Sequence, residues 1–362
     1  MSAADELVVD VVVDNYNYAQ YLPAAIASAC AQTHPRVNVI VVDDGSTDDS
    51  PAILDRYRDE VTVVLKENGG QASALNAGFE LCEGDVVIFL DADDTLDPTA
   101  AAAAAAAFAA DPEAVKVQFR TEVINAEGEP IGRIKPADHL PLPSGDVRAA
   151  ELAYPFDLVW MATSANAFRA TALRRIMPMP EAPFRSCADW YLVHLTALLG
   201  RVISLPEVLG AYRLHGANSY EPQAADLDLD HVRETIDYSD ATARALLELA
   251  AELDLPRPQQ ILSLADLANR MISVRLEPAS HPRPGDRPAG LLRAAWGAVR
   301  RRDNVGLAMK AMFVAWFAAM AVAPRPLARR LAVLFLFPER RPGINRLLGR
   351  QQATPDEGAG AA

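Results

Sequence analysis

The sequence predicts an α/β fold: a mixed, mostly parallel sheet flanked by helices, with a helical extension at the C-terminal end. Three features point there. Over the first hundred residues, short apolar runs rich in β-branched side chains alternate with helical patterns, as expected for buried strands joined by crossover helices. Two of these runs end directly in carboxylates, Val41-Val42-Asp43-Asp44-Gly45-Ser46 and Phe89-Leu90-Asp91-Ala92-Asp93-Asp94. An open α/β sheet presents its ligand-binding groups at such strand ends. From about residue 226 the alternation stops and apolar residues recur at helical spacing.

Taken in order, residues 7–13 form an apolar, β-branched first strand, 21–31 a helix and 37–42 a second strand. Residues 48–58 read as a helix with Thr47 or Asp48 at its N-cap. A third strand at 61–65, a helix at 71–81 and a fourth strand at 85–90 follow. Residues 98–110 are expected to be a helix with Pro98 in its first turn. Its alanine run, 100–107, needs no functional explanation, because alanine is the best helix former. Beyond residue 115 the pattern loosens into short strands and loops containing Pro136, Pro141 and Pro143, the kind of surface on which a rigid scaffold carries a binding site. A helix is expected at 188–199, two strands at 201–204 and 208–212, and two or three amphipathic helices across 226–275. The organisation is therefore a sheet region 1–220, a helical extension 221–276, a Pro- and Arg-rich linker 277–290, basic and apolar helices at 291–350, and a disordered tail 351–362.

With 362 residues, 51% of them hydrophobic, the chain can fill the core of one large α/β domain and a second region. The first six residues are polar and acidic, unlike a secretory signal. Three scattered cysteines, Cys30, Cys82 and Cys187, suggest a reducing compartment and no disulfide framework, and no histidine spacing suggests zinc. The net charge of −14 is unevenly spread: residues 281–350 hold 14 Lys and Arg against 3 Asp and Glu. The acidic N-terminal part, with no basic stripe interleaved with aromatics, argues against nucleic-acid binding.

Neighbouring carboxylates repel and raise each other's pKa, so two acidic strand ends close together call for a compensating cation. Mg²⁺ or Mn²⁺, which prefer carboxylate, water and phosphate oxygens, would serve. Four motifs occur in a family order: Asn15-Tyr16-Asn17, Val42-Asp43-Asp44-Gly45-Ser46-Thr47-Asp48, Asn68-Gly69-Gly70 with Asn76-Ala77-Gly78, and Asp91-Ala92-Asp93-Asp94. Together they resemble the nucleotide-sugar-binding half of a family 2 glycosyltransferase with the GT-A fold, over about the first 215 residues.

The resemblance implies that 1–97 binds the nucleotide and 115–220 the acceptor. It implies metal binding by Asp91, Asp93 and Asp94, with Asp93 also on the ribose. Asp44 matches the base-reading aspartate, Tyr16 would cover the base or pack as an ordinary aromatic, and Asp14 lies where the first strand meets the nucleotide. The family usually carries a small, hydroxyl or proline residue at that last position, so an acid is a departure. Asn68 and Gly70 would let the backbone approach the donor, or simply form a turn. Arg185-Ser186-Cys187-Ala188-Asp189-Trp190 resembles the segment whose aspartate deprotonates the acceptor, which makes Asp189 the candidate base, with helix N-capping the alternative; Ala188 stands where the family has glutamate. In Tyr212-Arg213-Leu214-His215-Gly216-Ala217-Asn218-Ser219, Arg213 or His215 would neutralise the diphosphate, or His215 would complete the metal shell.

The implied reaction is metal-dependent, inverting transfer of one sugar from a nucleotide-diphospho-sugar, a uridine one, to a glycan or lipid-linked acceptor in cell-envelope polysaccharide or glycolipid synthesis. The Gln-x-x-Arg-Trp segment and spanning helices of processive synthases are absent. A nucleotidyltransferase shares the sheet and acids but would open with a Gly-rich basic loop, which Asp14-Asn15-Tyr16-Asn17-Tyr18 is not. A degenerate binding or scaffold protein is the non-enzymatic alternative. Residues 307–323, apolar except for Lys310, and 331–337 are apolar runs bracketed by arginines; the first is marginal for spanning a bilayer and the second too short. They suit helices lying on an anionic membrane surface, placing the protein in the cytoplasm at the inner face of the plasma membrane; packing against another subunit or domain is the alternative.

Overall fold

The computed structural model describes residues 2–137, 140–216, 218, 227–302 and 305–337. The sheet region runs α1 (Ala3–Glu6), β1 (Val9–Asn15), α2 (Leu22–Cys30), β2 (Val37–Asp43), α3 (Ser50–Leu54), β3 (Thr62–Leu65), α4 (Gln71–Glu80), β4 (Val86–Asp91), β5 (Thr95–Leu96), α5 (Ala100–Ala110), β6 (Ala114–Ile124), β7 (Pro130–Lys135), α6 (Arg148–Ala153), β8 (Asn166–Arg169), α7 (Ala170–Ile176), α8 (Ala188–Leu199) and β9 (Arg201–Arg213). Helices α9 (Leu229–Glu252), α10 (Leu264–Leu276), α11 (Pro288–Arg301), α12 (Leu307–Val322) and α13 (Arg325–Leu336) follow. The predicted tail 351–362, Ser219, Arg340 and Arg341 lie outside the described residues.

The sheet order is β3-β2-β1-β4-β8-β6-β9-β5, with β7 on β6. Strands β1, β2, β3 and β4 pair in parallel, so their C-terminal ends open on one edge. Strand β8 pairs antiparallel with β4 and β6, which makes the sheet mixed. Valines on β1 face both ways: Val9, Val11 and Val13 join a core with Ile26, Leu54 and Phe108, while Val12 joins Leu75, Phe89 and Phe168 on the other side. Burial on both faces explains why these strands read as nearly continuous apolar runs.

Several elements differ from expectation for physical reasons. The helix predicted at 48–58 is only α3. Asp48 accepts from Ser50 N (3.0 Å) and Ala19 N (2.9 Å), which keeps it outside the helix, and after Leu54 the chain tightens into i→i−3 bonds such as Tyr57 N to Leu54 O (3.0 Å). Pro98 precedes α5 rather than opening it. The alanine run buries Ala100, Ala101, Ala104, Ala105 and Phe108 on one face, so its small side chains are a packing surface. The two strands predicted at 201–204 and 208–212 are one, β9. Opposite β6 the register passes from Gln118↔Ser204 to Arg120↔Val208, so Pro206 falls in a bulge where its missing N–H breaks no ladder bond.

The chain divides into two units, Met1–Glu221 with Asp237–Ile261, and Pro222–Ile236 with Leu262–Ala362. The segment read as one extension, 221–276, thus contributes to both: Tyr238, Leu246 and Leu249 of α9 join the core of the first unit, and Val232 and Ile236 that of the second. The expected linker gives way to α11 at Pro288. In the second unit, α10 buries Leu267, Met271 and Ile272 with Phe317 and Met320 of α12 and Ala328 and Ala332 of α13. Among the described residues, no helix is long and apolar enough to cross a membrane.

Candidate active site

The parallel register sets Asp14 beside Asp91 and Asn15 beside Asp43. The turns leaving β1 and β2 are laced together. Asn15 Nδ2 donates to Asp43 Oδ1 (2.7 Å) and Ser46 Oγ (3.1 Å), and Ser46 N to Asp43 Oδ2 (3.0 Å). Asn17 N donates to Ser46 Oγ (2.8 Å) and Thr47 N returns to Asn17 Oδ1 (2.7 Å). Asn17 sits at φ 58°, a left-handed conformation that asparagine tolerates. Tyr16, on this turn, is 47% exposed and takes no part in the core.

Asp44 is buried and faces inward. Its carboxylate accepts Lys66 Nζ (2.6 Å), Gly69 N (2.9 Å) and Gly70 N (2.7 Å), while Asn68 Nδ2 donates to its carbonyl (3.0 Å). Of four acceptor directions on a carboxylate, one remains. Gly70 stands at φ +91°, and a Cβ there would lie 2.7 Å from Arg185 Cα, so the turn needs glycine both for its backbone angle and for the close approach. Arg185 holds the same turn from its other side, donating to Gly69 O (2.9 Å) and Asn68 Oδ1 (2.7 Å).

The acids after β4 converge: carboxylate oxygens of Asp91, Asp93 and Asp94 lie within 4.8 Å of one another. Burial, then the neighbouring charges of Asp14, Asp93, Asp94 and Asp189, push Asp91 well above the usual carboxylate range. Burial and Asp93 do the same to Asp94, and burial raises Asp14 to about 7. Asp14 Oδ1 is buried with no hydrogen-bond partner. Three converging hard-oxygen donors in a site overloaded with negative charge fit a divalent cation.

The 213–218 segment braces these acids. Arg213 N donates to Asp94 Oδ1 (2.9 Å), and Arg213 Nε to Asp93 O (2.7 Å). Its guanidinium also reaches Asn125 O (3.3 Å) and Ala126 O (3.2 Å) and covers the Tyr21 ring at 4.9 Å. Arg213 is thus buried on backbone carbonyls as a brace. His215 Nε2 lies 2.9 Å from Asp93 Oδ2, and its ring packs on Tyr18 and Tyr21, so it meets the acid trio through Asp93. Asn218 closes the segment, accepting from His215 N (2.9 Å) and donating to Arg213 O (2.7 Å).

Asp189 lies in the first turn of α8, half-buried. Cys187, at φ 61°, holds the position before the helix, so Asp189 is not the cap. Burial raises its carboxyl above the ordinary range, against the hydrogen bonds of Cys187 and Trp190 N–H and the charges of His194 and Lys116. Gln71 ties this helix to the acids: Nε2 donates to Asp91 Oδ1 (2.9 Å), and Oε1 accepts from Ala188 N (2.9 Å).

Sequence reading missed Gln71, and it missed a buried assembly next to Asp189. Lys116 of β6, wholly buried, donates to Gln118 Oε1 (3.2 Å) and sits 3.9 Å over the Trp160 ring. Glu151 Oε1 of α6 is 2.6 Å from His194 Nδ1 of α8, both wholly buried. Trp160 and Trp190 pack edge-on to His194. A lysine in an otherwise buried strand was the one available signal.

A mixed sheet with acids clustered at its parallel strand ends is the arrangement of a GT-A fold, and likeness to known proteins assigns its class. A family model described as Glycosyl transferase family 2 matches residues 10–173. An uncharacterized glycosyltransferase of Nostoc sp. is 34% identical over 221 residues, 60% of this chain and 68% of that relative. The chain belongs to glycosyl transferase family 2. This places it among the glycosyltransferases rather than the nucleotidyltransferases. Over 93 residues it is 46% identical to an undecaprenyl-phosphate 4-deoxy-4-formamido-L-arabinose transferase of Pseudomonas syringae, covering 24% of this chain and 28% of that one. Among solved structures, S. aureus TarS 1-349 matches 96% of this chain and 93% of its own with TM-score 0.53 at 17% identity. The mannosyltransferase PcManGT from Pyrobaculum calidifontis, solved with GDP-Man and Mn²⁺, matches 97% and 90% with TM-score 0.50 at 18% identity.

Proposed function

We propose that the enzyme transfers a single sugar, with inversion, from a nucleotide-diphospho-sugar to a hydroxyl of a glycan or lipid-linked acceptor in cell-envelope polysaccharide or glycolipid synthesis. The observation that carries this reading is the convergence of Asp91, Asp93 and Asp94 at one strand end, joined through Gln71 to the helix that bears Asp189. Mg²⁺ or Mn²⁺ held by the three aspartates would neutralise the leaving diphosphate as a Lewis acid. Asp189 removes the proton of the acceptor hydroxyl on the face opposite the leaving group, which gives single displacement. Arg213 and His215 keep Asp93 and Asp94 in place. Asn68 and Gly70 shape the donor turn around Asp44, whose remaining acceptor direction suits the N–H of a uracil. Tyr16 covers the base from the exposed turn, and Asp14 sits at the junction between nucleotide and metal.

Crystals of similarly folded proteins with UDP-GlcNAc (TarS) and with GDP-Man and Mn²⁺ (PcManGT) support a nucleotide-sugar and a divalent ion in this fold. The relative named for undecaprenyl-phosphate supports a lipid-linked acceptor. The exposed apolar residues of α12 and α13 beside Arg329 and Arg330 support peripheral attachment to an anionic membrane, at the cytoplasmic face. Calorimetric titration of UDP, GDP and dTDP with and without Mn²⁺, on wild type and Asp94→Ala, tests the donor site. Metal-dependent binding of one nucleotide, lost in the variant, is expected. Failure of every nucleotide to bind in the presence of metal would overturn the reading.

A further inference from the structure

The second unit contains a cavity of about 500 Å³ on which four arginines converge: Arg275, Arg283, Arg287 and Arg325, with His281 and Asp286. Its remaining walls are proline and valine. The acid there is already matched. Asp286 accepts Arg270 Nη2 (2.6 Å) and Nε (2.8 Å) and lies 3.1 Å from His281 Nε2. Burial opposes ionisation of Asp286, but Arg270 and His281 hold its carboxyl below the ordinary range.

Among the described residues, three of the converging guanidiniums meet only backbone carbonyls. Arg275 donates to Met320 O (3.0 Å) and Ala323 O, at the C-terminal end of α12. Arg325 donates to Leu276 O, at the end of α10. Arg287 donates to Pro284 O (2.9 Å) and Asp286 O (2.8 Å). Carbonyls orient a guanidinium without cancelling its charge, so the arginines are held in place and their excess positive charge remains. Around the junction of α12 and α13, whose first residue is Arg325, apolar side chains are exposed: Val322 is 82% and Leu327 47% exposed. A site with fixed cations, apolar walls and an apolar lip suits an anion of high charge density carried on a hydrocarbon. A guanidinium pairs bidentately with carboxylate as with phosphate, but several converging guanidiniums favour a phosphate monoester, which offers three acceptor oxygens and a second negative charge.

We propose that this arginine cavity binds the phosphate ester headgroup of an amphiphile, with the acyl or prenyl part along the exposed side chains of Val322 and Leu327. The inference deepens the membrane reading above and rests on it for the source of the phosphate; it does not depend on donor binding or catalysis.

The test uses the full chain and vesicles of phosphatidylcholine doped either with phosphatidic acid or with an equal charge of oleate, plus soluble glycerol 3-phosphate. Wild type is expected to prefer phosphatidic acid vesicles. Arg287→Gln, on an exposed loop, should weaken that binding about fivefold, and Arg287→Gln with Arg325→Gln more, while leaving oleate binding less affected. Arg300→Gln with Arg301→Gln removes the same charge from exposed positions outside the cavity and should weaken both vesicle types alike. Equal affinity for the two vesicle types, or equal loss in the two double variants, would overturn the cavity and leave general membrane attachment standing. Binding of glycerol 3-phosphate without either vesicle, lost in Arg287→Gln, would support the phosphate site, assign it to a soluble ester and remove the membrane reading. Melting temperatures of all variants separate loss of binding from loss of fold.

Discussion

The carboxylates of the site differ in their surroundings, and the roles proposed for them differ accordingly. As the proposed base, Asp189 would have to be ionised to take a proton, and burial raises its pKa. The acid limb of kcat/KM is therefore expected above the ordinary carboxylate range, with activity falling as pH drops through it. Asp189→Asn should remove that limb and cost about 10²–10⁴-fold in kcat, with metal-dependent nucleotide binding retained. A variant with nearly full activity would exclude Asp189 as the base. Gln71→Ala should lower kcat about tenfold or more with a much smaller effect on nucleotide affinity, since it frees the base helix from the acids; equal loss in both quantities would place Gln71 in donor binding alone. The acids were legible because each follows a strand directly. Gln71 was not, since its partners are 20 and 117 residues away and no local pattern joins them.

Among the elements, β6 is the least expected. Its central run is buried, yet it carries Lys116. Burial lowers the Lys116 pKa well below its ordinary 10.5, against the attraction of Glu151 and Asp189. The unfolded chain therefore binds the proton more tightly than the folded one, and stability should rise with pH between the lowered value and 10.5. Lys116→Met should flatten that slope and raise the melting temperature at neutral pH; an unchanged slope in urea titrations across this range would refute the assignment. Glu151→Ala should cost about 3–5 kcal/mol, because it strands His194 in the interior, as chemical denaturation would register. The short regular strands β1, β2 and β4 were readable from apolar runs with acidic ends. β9 was not, because a proline in mid-strand normally argues against one, and only the bulge opposite β6 reconciles the two. The short α3 was misread because Asp48, a good cap in isolation, is engaged by Ala19 of the neighbouring turn.

On the scale of the whole chain, charge is segregated. The stretch 281–350 is strongly basic in a protein of net charge −14, so attraction to an anionic surface must be local and short-ranged. Vesicle binding should weaken steeply as salt rises, whereas the buried bonds of the acid trio should not respond; salt-independent binding would point to apolar insertion alone. The family and the sheet could be read from four motifs, but the division of α9 between two units could not, since its amphipathic pattern runs unbroken through the boundary. The amide of Gln71 is polarised, its nitrogen toward Asp91 and its oxygen toward the N–H of Ala188. Replacing that NH2 with an oxygen, as ageing by deamidation does, would change one heavy atom and no packing contact, and would set two carboxylates face to face. A stored preparation would then lose activity, and the repulsion between the paired carboxylates would lower its melting temperature as well.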